Sequence, residues 1–411
     1  MESYIFILYY FYHSYLSKKE SIGKREGKAM RIIKISIMVV IMIFLQACLS
    51  PSRLEETAII NTRGVDLVEE DGKRLIETTI IPYIFDPEAA ESTSILIGKG
   101  DTVKQARRDA EKQSPYPLSR GKINLEFYGK EAAEAGVLPF LNTLVRDARV
   151  SDMMQLAVTS TTAREFLEYE QEITTINTTE YLQDLTEKEV EIDTIPRNTL
   201  EYFSRLIRQV GIDPVLPILA FEEEKPMISG VALFKNDQYV GEIPLADAFF
   251  INQLRKKVNG TPLNAEVPTE NYTDKIDYES EYTENPDTIN LSFFLHKGVG
   301  KITISDFDSL SFKADIEMRL ELLETSIPMD IKSEETFKQL ERDVEAYYKD
   351  KYEKLFKKLQ EVNSDAFGLG RQYIATRKGS KTTDKEWREK YKDTTMTFDV
   401  EVTLINFGTI D

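Results

Sequence analysis

The chain has 411 residues, a formal net charge of −18 and a single cysteine, Cys48. One thiol closes no intramolecular disulfide, so no disulfide framework holds this fold, and cystine content says nothing of its compartment. So acidic a balance excludes function through the clustered Lys and Arg that dock on nucleic acid or on anionic lipid.

The first 30 residues hold an aromatic-rich run, "YIFILYYFYHSYL", and a polar stretch, "SKKESIGKREGKAM". A complete export signal begins only at Met30: Arg31 and Lys34, then the apolar core "ISIMVVIMIFL", then small or polar residues. That core is roughly half the ~20 apolar residues of a bilayer-spanning helix, so a permanent span is the weaker reading. Translation is expected to start at Met30, because Arg25-Glu26-Gly27 can be encoded by a purine-rich, ribosome-binding run. The alternative is an additional N-terminal membrane-associated segment.

Leu45-Gln46-Ala47-Cys48 resembles a bacterial lipobox, in which a small residue precedes the cut and the thiol receives a diacylglyceryl group. The alternatives are an ordinary secretory signal and a buried cysteine serving as a small hydrophobe. Residues 1–47 have a net charge of +4, which leaves −22 on the 364 residues from Cys48 onward. That body has room for two or three domains, and its charge predicts that a lipid surface repels it.

In the body, Asp71-Gly72 separates two β-rich runs and signals a hairpin, since both central residues of a type I′ turn take positive φ. "STSILIGKG" predicts a strand, and "DTVKQARRDAEKQ" a helix capped by Asp101 with Val103 and Ala106 inward. "KINLEFYG" and "MMQLAVTS" read as strands, each followed by helical pieces, with a break at Gly136. Helices continue through "EYLQDLTEKE" and "NTLEYFSRLIRQVG" to Gly211, and three β segments follow, with a tight turn at Asn236-Asp237. After the helix "ADAFFINQLRKKV", residues 261–288 are polar and acidic and read as a surface connection with one strand around 275–278.

The last segment is the best patterned. Leu310, Phe312, Ala314, Ile316, Met318, Leu320 and Leu322 alternate with polar residues, which predicts a long strand with one buried face. Ser333 then caps a helix of about 28 residues, roughly 42 Å, with Leu340, Val344, Tyr348, Tyr352 and Leu355 along one stripe. "TMTFDVEVTLINFG" closes the chain as another alternating strand.

Catalytic constellations are missing from the sequence. The two histidines are His13 and His296, so no paired-histidine metal site can form, and His296 reads as a structural or surface residue. "GVGKIT", Gly298 to Thr303, has Ile302 where a phosphate loop needs its hydroxyl and reads as a hairpin turn. "FGLGRQY", Phe367 to Tyr373, has Tyr373 where a third glycine belongs, so neither stretch binds a nucleotide. The carboxylates of "FEEEKP", Glu222 to Glu224, could form a glycosidase pair but read as a solvated face. No cofactor is expected.

The body resembles the C subunit of bacterial spore germinant receptors, the Ger(x)C lipoprotein family. The carriers are "LQAC", "GDTVKQA" at Gly100 to Ala106, "YGKEAAEAGVLPFLNTLVRDARV" at Tyr128 to Val150, "GVALFKNDQYVGEIPL" at Gly230 to Leu245, and "DAFGLGRQY" at Asp365 to Tyr373 followed by Trp387. Two departures stand against it: Gly121-Lys122 replaces a histidine often found before the helical turn, and residues 170–190 match no family pattern. The resemblance implies an α+β fold of three mixed α/β domains in series, which we place at 48–213, 214–285 and 286–411 after an extension and signal at 1–47. The last would be an antiparallel sheet packed by one long helix. It also implies a non-enzymatic protein needed to trigger germination, with N-palmitoyl and S-diacylglycerol groups on Cys48. Its place would be the outer face of the spore inner membrane, beside multi-span A and B subunits. The alternative is a lipid-anchored solute-binding protein of an ABC transporter, which needs two similar lobes around a hinge.

Overall fold

The computed structural model describes residues 36–38, 58–84, 95–119, 123–173, 178–276, 287–331, 333–376 and 382–405. The chain divides into two units, 1–54, of which only the helical residues 36–38 are described, and 55–411. Cys48, Met30 and His13 lie outside the described residues.

The body opens with the predicted hairpin, β1 (Ala58–Glu70) and β2 (Lys73–Ile84), turned by Asp71 at φ 51° and Gly72 at φ 73°. β3 (Leu96–Gly100) leads to α1 (Val103–Glu111), whose cap is Thr102 and not Asp101: the Thr102 hydroxyl accepts the Gln105 N–H at 3.2 Å. Only one residue can hold the extended cap conformation, and the later hydroxyl reaches the orphan N–H. α1 lies hard against β3, where a Cβ on Gly98 would sit 2.2 Å from the Ala106 oxygen. The same helix and the turn after it seal this sheet edge. Gln113 pairs with both the N–H and the C=O of Ile97, and Asp109 accepts the Lys99 N–H, so strand addition is blocked there.

β4 (Leu118–Ser119), β5 (Leu125–Gly129), α2 (Lys130–Ala135), α3 (Leu138–Val145), β6 (Gln155–Thr159), α4 (Ala163–Ile173), α5 (Thr178–Glu191) and α6 (Leu200–Leu206) follow. β7 (Val215–Glu222), β8 (Lys225–Lys235) and β9 (Gln238–Pro244) complete a nine-stranded sheet in the order β3-β2-β1-β5-β6-β7-β8-β9, with β4 beside β1. β1, β5, β6 and β7 run parallel, each linked to the next by helices or, for β1, by the whole β2–β4 excursion. All five residues of β5 are buried, Leu125 and Phe127 in one core and Tyr128 in the other, as a strand covered on both faces requires.

α7 (Leu245–Arg255) leads into a second sheet of four strands: β10 (Pro262–Pro268), then, past a 3₁₀ turn at Thr269–Tyr272, β11 (Thr288–Asp306) and β12 (Ser311–Thr325). Helices α8 (Glu334–Glu361), α9 (Leu369–Thr376) and α10 (Asp384–Tyr391) precede the last strand, β13 (Thr395–Ile405). Three expectations need correction. The sheet is mixed, not antiparallel, because β13 pairs parallel to β12 from Ser311↔Thr395 to Glu321↔Ile405. Three helices intervene, and a crossover of that length returns the chain to the same end of the sheet. The stretch read as a surface connection opens with a strand, β10, where Leu263, Ala265 and Val267 alternate inward between two prolines; of the strand expected around 275–278, Ile276 bridges Met329 and residues 277–286 lie outside those described. "GVGKIT" is not a turn but the interior of β11, and the turn comes at Leu310, φ 51°.

The glycines of that stretch answer to α7. A Cβ on Gly298 would lie 2.8 Å from Val258 Cγ2, and one on Gly300 would lie 2.8 Å from Leu254 Cδ2 and 2.9 Å from the Gln253 oxygen. Gly300→Val is therefore expected to cost about 1–3 kcal/mol through overpacking. Thermal unfolding checks this: an unchanged midpoint would show that the helix gives way freely.

α8 has the cap and the length that the sequence predicts. Ser333 Oγ accepts the Thr336 N–H at 3.0 Å, and Leu340, Val344, Tyr348, Tyr352 and Leu355 are buried. Tyr352 stacks on Phe398 of β13 at 5.4 Å, meets Phe250 of α7 edge-on at 4.8 Å and donates its hydroxyl to Gln253 at 2.7 Å. Glu345 and Glu341 accept the N–H groups of Val402 and Leu404, each at 3.0 Å, which seals the outer edge of β13.

Candidate functional site

Two places concern the motifs and the cleft that bear on function. The first is a buried junction where the start of β7, the β8–β9 turn, α7, α9 and α10 meet. Asp213, fully buried, clasps the guanidinium of Arg388 with both carboxylate oxygens and accepts the N–H groups of Asn236 at 2.8 Å and Asp365 at 2.7 Å. Arg388 also donates to the Asn236 side chain at 2.8 Å and to the Asn363 carbonyl at 3.3 Å. Asp365, equally buried, accepts the N–H groups of Gly368, Leu369 and Gly370, at 2.8–2.9 Å, and the indole N–H of Trp387 at 2.9 Å. It thus satisfies the orphan donors at the start of α9. Arg255 donates to the carbonyls of Ala366 and Asp213.

Backbone contact completes the junction. Gly211 stands at φ +82°, and a Cβ there would lie 2.3 Å from the Gly370 carbonyl carbon, while the Arg371 N–H reaches the Gly211 oxygen at 2.8 Å. The stretch "DAFGLGRQY" and Trp387 are therefore parts of one internal lock, and their functional groups face inward. Asp213 and Arg388 escaped the sequence reading. Their signals were a carboxylate wedged between Gly211 and Pro214 and an arginine beside the sole tryptophan.

The second place is a cleft of about 380 Å³ on the large sheet, between the start of α2 and strands β6 to β9. Its floor is Val158 and Ile218, and Lys130, Tyr239 and Glu242 stand along its side. The Tyr239 hydroxyl donates to Glu242, and the Lys130 ammonium lies 3.8 Å from the same carboxylate and 5.5 Å from the Tyr239 ring centre. Burial, then Glu242, pushes the Tyr239 hydroxyl well above its ordinary range. The three groups satisfy one another, so the cleft holds a closed polar cluster and not a poised nucleophile and base.

The remaining candidates separate. His296 lies on the solvent face of the small sheet, its Nε2 2.7 Å from Glu321 and its ring edge-on to Phe294. Glu223 and Glu224 are the exposed turn between β7 and β8, at φ 48° and 66°, with Glu222 paired to Lys225. Among the described residues no group of three or more His, Cys, Asp or Glu could hold a metal ion, and no helix is long and apolar enough to cross a membrane.

Two buried carboxyls set a pH dependence. Asp66 caps α4, accepting the N–H groups of Ala163 at 2.8 Å and Arg164 at 2.9 Å, in space left by Gly129. Burial pushes Asp66 up to about 6, against those two N–H groups, and pushes Asp365 up to about 6, against the Gly370 N–H and with help from Asp213. Each is raised above the ordinary value of 3.8, so between 3.8 and about 6 the folded chain holds protons that the unfolded chain has lost. That contribution to stability is complete below 3.8 and is lost as pH rises through about 6. Stability, read as the melting temperature, is expected to rise on going from neutral pH toward pH 5, by of order 1 kcal/mol per group. Asp365→Asn should flatten this slope; an equal slope in that variant would assign it to general charge repulsion.

Comparison with known proteins bears on both halves of the body. Residues 51–221 match the family described as spore germination protein N-terminal domain, and residues 229–408 match spore germination B3/GerAC like, C-terminal. The chain is 21% identical over 384 residues to the spore germination protein GerQC of Bacillus cereus, a span of 89% of this chain and 97% of that protein. The crystal structure of the GerBC protein has a similar fold, with a TM-score of 0.51 at 17% identity over 84% of this chain and 97% of that one.

Proposed function

The chain belongs to the family of spore germinant-receptor C subunits, and from that premise we propose that it is a lipid-anchored subunit that works by holding its receptor partners, not by turning over a substrate. The observation that carries this reading is the inward-facing junction. One carrier of the family resemblance, Asp365 to Tyr373 with Trp387, fixes the large sheet to the small one with its polar groups turned inward, so that this motif serves structure and not turnover. The sheets themselves are unlike, nine strands and four, which favours this reading over a solute-binding protein with two similar lobes.

In this reading Cys48 carries the N-palmitoyl and S-diacylglycerol groups, and the body stands on the outer face of the spore inner membrane beside the multi-span A and B subunits. One acyl chain holds a protein only marginally, whereas two or more, at about 0.8 kcal/mol per buried methylene, hold it stably. An anchored subunit searches a surface for its partners and a released one searches a volume, so tethering raises effective affinity by orders of magnitude.

Cys48→Ala, expressed during sporulation, is expected to remove the lipid, leave the body folded and depress germination. Fractionation of the spores and mass spectrometry of the wild-type N-terminus read the two steps separately. Normal germination by a membrane-bound Cys48→Ala protein would overturn the anchor. Co-purification with a permease and an ATPase, in place of two multi-span proteins, would overturn the receptor assignment.

A further inference from the structure

We propose that the body presents one particular end to the phospholipid surface: the end of the large sheet at which β1 begins. The inference rests on the anchor at Cys48 and adds an orientation to it. β1, β5 and β6 run parallel and so start at the same end, and β2, antiparallel, brings Tyr83 beside Ile59 there. α2 and α3 carry the chain back from the far end of β5, which puts Val145 and the 146–154 loop at this near end as well.

Three observations support it. Large apolar groups are exposed there: Met153 at 71%, Tyr83 at 46% and Val145 at 40%. Tyrosine and methionine or valine beside arginine is the composition of a surface that seats at the headgroup boundary. Among the described residues there, Arg146, Arg149 and Arg197 stand against Asp147, Asp152 and Glu187. The opposite tip carries six exposed carboxylates, Glu69, Glu70, Asp71 and Glu222 to Glu224, against Lys73, Arg74 and Lys225. Of the two sets of named residues, the far tip's is the more acidic, and it lies about 40 Å away along β1, several Debye lengths from the near end. Third, Cys48 precedes Ala58 by ten residues in the sequence, and so short a stretch reaches at most about 35 Å. The near end cannot leave the neighbourhood of the bilayer; the far tip can.

The test uses the full acylated chain on phosphatidylglycerol-containing vesicles. Lipid on Cys48 leaves an introduced thiol as the only free one, so Met153→Cys and Glu222→Cys can each carry a fluorophore against nitroxide-headgroup lipids. Both positions are exposed, so folding is spared. Severalfold stronger quenching at position 153 than at 222 is expected. Equal quenching, or stronger quenching at 222, overturns the orientation while the anchor stands. Wild-type protein from spores that carries no lipid on Cys48 overturns the anchor and the orientation with it. If position 153 is unquenched on vesicles but becomes shielded from a soluble thiol reagent when multi-span partners are present, this end belongs to a protein and the proposal fails.

Discussion

Arg388→Met is expected to destabilise the body by about 3–5 kcal/mol, because it leaves the Asp213 carboxylate buried without its cation. Asp213 keeps the N–H groups of Asn236 and Asp365, but these dipoles do not replace a bidentate guanidinium held at both oxygens. Burial alone would lower the Arg388 pKa, and the Asp213 contacts outweigh it and raise it, so the pair favours its charged form strongly. The loss is a large part of a typical total of about 5–15 kcal/mol. Since the pair ties the start of β7 to α10, the two sheets should also cease to unfold together. Chemical denaturation reads both effects, as a lower midpoint and a broadened or divided transition. Asp213→Asn in the same chain should restore part of the loss, since a neutral amide needs no cation. An unchanged midpoint in Arg388→Met would mean that the clasp contributes nothing beyond the surrounding packing.

That clasp shows where sequence reading ends. β12 and α8 were legible because their signals are local: an unbroken alternation from Phe312 to Leu322, and a cap at Ser333 followed by one apolar stripe. The direction of β13 was not legible, because its own alternation is the same whether it pairs parallel or antiparallel, and only the path of α8 to α10 decides. β10 was hidden because its three inward side chains, Leu263, Ala265 and Val267, alternate only with Asn264 and Glu266 and are bounded by Pro262 and Pro268. Gly298 and Gly300 looked like a turn because glycine's two uses, positive φ and close approach, leave the same letter. In the junction, "DAFGLGRQY" was legible as a motif, but its task depends on Asp213, 175 residues from Arg388. No local pattern links two residues so far apart. Cys48 is the converse, read wholly from its neighbours in sequence and lying outside the described residues.

Val344→Asp is expected to be the most damaging change in the small-sheet half. Val344 is completely buried in the middle of the α8 stripe, one turn from Leu340 and Tyr348. A carboxylate placed there has no cation on its stripe and must either stay ionised in an apolar core or take up a proton, each at a cost of several kcal/mol. Lys349→Asp supplies the control: it makes the charge more negative on the same helix at an exposed position and should shift stability by no more than about 0.5 kcal/mol. The two variants also separate by pH. A buried aspartate has a raised pKa in the folded chain, so the Val344→Asp deficit should be smallest in acid, where the group is neutral in both states, and grow as pH rises above the unfolded value. Lys349→Asp should show no such growth. The readout is the unfolding midpoint of each variant at acid and neutral pH. A Val344→Asp chain that melts like the wild type at neutral pH would mean that the stripe does not hold α8 against the rest of the core.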